Sequence, residues 1–146
     1  MAPTQTLKII SVCRFVVLTA FIAVDATDEN IEEAIEQLIV LGVDRVLTSG
    51  GYSTAPEGAE VLALLQAKYG DKIEILAGCG VNASNVIELI EKTGVTQVHS
   101  SCKAWVVDPT TTSERNDYGF NKDMYDIVSV DKVKELKEMI DEYGNV

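Results

Sequence analysis

The sequence predicts an α/β fold built from four consecutive βα units on a parallel sheet. Short apolar runs alternate with amphipathic runs of helical spacing along most of the chain. The first three helical runs each end at a glycine: Gly42, Gly70 and Gly94. An internal echo adds a third observation. Gly42-Val43-Asp44-Arg45-Val46-Leu47-Thr48-Ser49 resembles Gly94-Val95-Thr96-Gln97-Val98-His99-Ser100-Ser101, 52 residues on, a period of two βα units. Such a period is expected of a barrel assembled from repeated units, and also arises by chance in any parallel α/β fold. With 146 residues the chain is too short for a complete eight-stranded barrel, which needs about 250. No Pro- or Gly-rich linker interrupts it, so residues 1–146 read as a single domain.

The elements follow in order. Lys8 to Val24 is the most apolar stretch, interrupted by Arg14 and too short beyond it to span a bilayer. It reads as a buried strand, as a cleaved secretory signal or as an irregular tail. Thr27-Asp28 opens a helix with Ile31, Ile35, Leu38 and Leu41 on one face and Glu29, Glu32, Glu33 and Glu36 on a solvated opposite face. Arg45 to Thr48 is a strand and Ser49-Gly50-Gly51 its turn. Thr54-Ala55-Pro56-Glu57 has capping-box spacing before a helix carrying Val61, Leu62, Leu65 and Tyr69. Lys72 to Ala77 is a strand, Gly78-Cys79-Gly80 a turn, and Asn82 a cap for a helix with Val86, Ile87, Leu89 and Ile90. Val95 to Ser100 is the last strand. A loop of 27 residues, Ser101 to Ile127, precedes a final helix near Ser129 with Val133, Leu136, Ile140 and Tyr143 on one face.

Composition narrows the function classes. Twelve basic against 23 acidic residues give a net charge of −11. Nucleic acid and polybasic membrane attachment both require the opposite sign. Cys13, Cys79 and Cys102 are too few for a disulfide framework and read as reduced thiols of a cytosolic protein.

Ligands of parallel α/β folds bind at the carboxyl ends of the strands. Gly78-Cys79-Gly80-Val81-Asn82-Ala83 formally fits a dinucleotide fingerprint, but the next strand ends in His99-Ser100 and not in an acidic residue. The same turn could hold a phosphate or other small anion at the following helix N-terminus, or simply need glycine to turn. In the anion reading Gly78, Gly80, Ser100, Ser101 and Arg115 hold the ligand, Arg115 lying in a long loop with Trp105, Asn116, Tyr118 and Phe120. His99, the single histidine, is a hydrogen-bonded core residue or, with Cys79 and Cys102, part of a soft donor set suited to Cu(I) or Zn(II). Buried inert thiols are the competing reading of the cysteines. No nucleophile elbow accompanies the serines.

Arg45-Val46-Leu47-Thr48-Ser49-Gly50, Ala77-Gly78-Cys79-Gly80-Val81 and Val98-His99-Ser100-Ser101, in this order and spacing, resemble the CutC copper homeostasis protein family. Arg115-Asn116 resembles the Arg-Asn pair of that family's last long loop. The resemblance runs over roughly residues 19 to 143 and leaves residues 1–15 unmatched. It implies half of a (βα)8 TIM-type barrel, strands five to eight. It also implies a cytoplasmic, non-catalytic role in copper homeostasis, with copper as Cu(I) the bound ion. Two departures stand out. The family's fifth strand ends in a TFHRAFD-like segment, where Phe21 and Ile22 replace the His and Arg. The cysteines proposed as Cu(I) ligands in the family lie in the first four strands, which have no counterpart here. Cys79 and Cys102 fall where the family usually has small residues, so a metal site in this chain would be its own: Cys79, His99 and Cys102. A small-anion-binding protein or enzyme remains the alternative function. Four βα units leave open strand edges, which predicts a homo-oligomer.

Overall fold

The computed structural model describes residues 19–21, 30–108 and 124–144. The chain divides into two compact units, Met1–Ser100 and Ser101–Val146. In the first, β1 (Thr19–Phe21), α1 (Ile31–Val40), β2 (Arg45–Thr48), α2 (Ala59–Tyr69), β3 (Glu74–Ala77), α3 (Val86–Thr93) and β4 (Gln97–Val98) follow one another. The strands form one sheet in the order β1-β2-β3-β4, every pair parallel. The fold is therefore mixed α/β with a parallel sheet, as the alternating pattern predicts.

The boundaries show which local groups compete with the ladder. β2 coincides with the predicted strand. β3 starts two residues later than Lys72, because the Lys72 and Ile73 amides donate to the Tyr69 carbonyl at 2.8 and 3.0 Å and close the end of α2. β4 is shorter than predicted, its approach occupied by a bond from the Val95 amide to Thr93 Oγ1. Thr19–Phe21 makes part of the apolar Lys8–Val24 run a strand; the rest of that run and Thr27-Asp28 lie outside the described residues. Asn30 is the cap of α1, its Oδ1 accepting from the Glu32 amide at 3.1 Å. The capping box at Thr54 forms reciprocally, with Glu57 N to Thr54 Oγ1 and Thr54 N to Glu57 Oε2. It closes a separate turn ending at Gly58, and α2 begins only at Ala59.

In-register neighbours of a parallel sheet share a face. Val46, Thr48, Ile75 and Ala77 lie on one face, each no more than 2% exposed. Ile35 of α1, Leu62, Leu65 and Tyr69 of α2, and Val86 and Leu89 of α3 complete the core. The other face carries Arg45, Leu47, Glu74, Leu76 and Gln97; of these only Leu47 is buried. Arg45 Nε donates to Glu74 Oε2 at 2.7 Å, and Gln97 also bonds that carboxylate. The acidic side of α1 is not purely solvated: Lys68 Nζ reaches Glu32 at 2.7 Å and Tyr69 Oη donates to Glu36 at 2.8 Å, tying α1 to α2.

The second unit corrects the predicted 27-residue loop. Lys103–Val107 (β5) and Met124–Val128 (β6) pair antiparallel, from Lys103 opposite Val128 to Val107 opposite Met124. β-Branched and aromatic residues dominate both runs, and a polar stretch separates them. α4 (Val130–Gly144) follows Ser129, whose carbonyl accepts from the Val133 amide at 3.1 Å. On its predicted apolar face Leu136 and Ile140 are half-buried, whereas Val133 and Tyr143 are exposed. Among the described residues no helix is long and apolar enough to cross a membrane.

Two expectations follow. A Cβ on Gly58 would stand 1.9 Å from the Ser49 carbonyl oxygen, whereas one on Gly51 meets nothing within 4 Å but suffers a φ of +81°. Gly58→Ala should therefore lower stability by about 1–3 kcal/mol through overpacking, and Gly51→Ala by about 1 kcal/mol through backbone conformation alone, read from urea midpoints. Arg45 holds the Glu74 carboxyl below its usual 4.5. A carboxyl with a lowered folded-state pKa stabilises above its unfolded pKa and loses that contribution as pH falls through the folded one. The urea midpoint should drop less between about pH 5 and pH 3 in Glu74→Gln than in the unmodified chain.

Candidate functional site at the carboxyl ends of the strands

β2, β3 and β4 end side by side, and each continues into a polar or glycine-rich turn. The Gly78 amide donates to the Thr48 carbonyl at 3.1 Å and the His99 amide to the Ala77 carbonyl at 2.8 Å, so the ladder runs just past the strand ends. Beyond it the chain turns through two matching left-handed pairs: Gly50 and Gly51 (φ 75° and 81°) after β2, Cys79 and Gly80 (φ 72° and 73°) after β3. Left-handed backbone suits glycine and costs an ordinary side chain about 1 kcal/mol, so Cys79 is held there by its surroundings.

Those surroundings are the neighbouring turn. The Ala55 amide donates to the Cys79 carbonyl at 2.9 Å, with Ala55 completely buried. A Cβ on Gly80 would stand 3.0 Å from Thr54 Cγ2, so the two turns touch. Gly78 is equally confined, because a Cβ there would lie 2.4 Å from Leu47 Cδ1. The same construction places His99 Cβ 3.5 Å away, which sets the imidazole beside the Gly78-Cys79 turn. Thr48 Oγ1 accepts from the Gly50 amide at 3.0 Å, and Ser100 Oγ donates to the Val81 carbonyl at 2.6 Å. Both hydroxyls thus shape the site's backbone.

The anticipated residues separate as follows. Gly78, Cys79, Gly80, His99 and Ser100 belong to the first unit; Cys79 and Ser100 are partly buried and His99 is exposed. Ser101 and Cys102 belong to the second unit, where the Cys102 carbonyl accepts from the Ser129 amide at 2.9 Å. Arg115, with Asn116, Tyr118 and Phe120, lies outside the described residues. Among the described residues no group of three or more His, Cys, Asp or Glu side chains could hold a metal ion. Within the first unit the soft donors at this edge are the Cys79 thiol and the His99 imidazole.

Donors for an anion at the start of α3 are largely used by the turn itself. The Asn82 amide donates to Asn85 Oδ1 at 2.9 Å and the Ser84 amide to Asn82 Oδ1 at 2.9 Å. The Asn85 and Val86 amides both donate to the Asn82 carbonyl. The predicted capping by Asn82 is present, but its partner Asn85 was missed by the sequence reading. The Asn-x-x-Asn spacing, analogous to a capping box, was the available signal. Ala55, whose amide fastens the Cys79 turn, carries no comparable signal.

Cys79→Gly should raise stability by about 0.5–1 kcal/mol by relieving the left-handed conformation, whereas Cys79→Val should lower it. Asn82→Ala should cost about 1 kcal/mol through the lost cap. Thermal unfolding of the three variants gives all three signs.

The motifs at this edge are shared with known proteins. The CutC family model matches residues 4–104. That range begins within residues 1–15, where the motifs show no counterpart, and stops before Arg115. A CutC family protein of Xylella fastidiosa is 39% identical over 106 residues, 73% of this chain and 39% of the relative. One from Glaesserella parasuis is 38% identical over 110 residues, 73% of this chain and 45% of the relative. The chain thus spans about two-fifths of the length of these curated relatives. A solved structure described as a candidate copper homeostasis protein CutC from Streptococcus agalactiae aligns with a TM-score of 0.52 and 30% identity, over 56% of this chain and 40% of that one. With more than two thirds of its residues matched by the family model, the chain belongs to the CutC family.

Proposed function

We propose that this chain acts in copper homeostasis by taking up Cu(I) at the carboxyl ends of its strands. The observation that carries this reading is the Cys79 thiol on the turn after β3 with His99 beside it at the end of β4. A thiolate favours Cu(I) over harder ions, and a neutral imidazole is a compatible second donor. The described residues offer this pair and no three-donor cage, so binding at this edge rests on the two. The likeness to the Streptococcus agalactiae protein supports copper as the ion. Cys79 and Cys102 are free thiols, which supports a reducing, cytoplasmic setting.

The same reading makes the sheet the second half of a (βα)8 barrel. The face carrying Leu47 and Leu76 with the Arg45–Glu74–Gln97 layer would be the barrel interior, since parallel sheets are covered on both faces. A second copy of the chain would supply the remaining four strands.

A competition titration against a Cu(I) indicator tests the site. Cys79→Ser and His99→Ala should each weaken binding at least about tenfold, a loss of roughly 1.4 kcal/mol. Unchanged affinity in the double variant would overturn the assignment. Light scattering tests the assembly: a particle of twice the 15.9 kDa chain mass is expected, and one of 15.9 kDa would overturn it.

A further inference from the structure

We draw no further inference here: the strongest candidate, the groove between α2 and α3 floored by Ala59, Ala63 and Leu64 and rimmed by Glu57, Glu60 and Lys92, is an apolar surface for which nothing in the structure shows what covers it.

Discussion

One close approach of backbone to backbone sets the geometry on which the strand-end edge depends. The Ser49 carbonyl lies against the α-carbon of Gly58, where no side chain fits, and Gly50 meets the Gly58 carbonyl almost as tightly. The ten-residue path from the end of β2 to the start of α2 is thereby folded back on itself. From that point the order of dependence is direct. Gly58 accepts from Leu62 as α2 begins, and α2 then sets Leu62, Leu65 and Tyr69 into the core. The returning loop also delivers Ala55 to the Cys79 carbonyl, so the turn after β3 takes its shape from the turn after β2.

The two sheet faces divide the work. One is apolar and closed under the helices, and burial on the scale of 25 cal/mol per Å² makes it the main source of cohesion. The other mixes Leu47 and Leu76 with a charged and amide layer whose members satisfy one another. Such a layer contributes little net energy where solvent reaches it. It does hold β2, β3 and β4 in register through side chains as well as backbone. Burial on one face and register on the other together fix where the three strand ends stop.

Much of this was legible in the sequence because it is written in local signals. The Arg45–Thr48 strand, the glycine stops and the Thr54 and Asn82 caps each rest on a few adjacent residues. What the sequence concealed depends on partners distant in the chain. The start of β3 was decided by the Tyr69 carbonyl, and the hairpin of β5 and β6 by pairing across a polar stretch of some 16 residues. The site follows the same rule. Its glycines were visible, but the contact of Thr54 with Gly80 and the bond from Ala55 to Cys79 join segments about 25 residues apart. The donors spent inside the Asn82–Asn85 turn were also hidden, since spacing alone does not show which amides are already engaged.

The two capped turns also bear on how the chain reaches this state. Thr54 with Glu57, and Asn82 with Asn85, close loops of three residues. The ladder between β2 and β3 joins residues 29 apart, as Arg45 and Glu74 show. Chain-closure entropy grows with the logarithm of loop length, so short closures come first and distant parallel pairings set the pace. Both early turns lie at the strand ends that carry the proposed donors. The edge that would meet a ligand is thus the part of the molecule whose local conformation is chosen before its sheet exists.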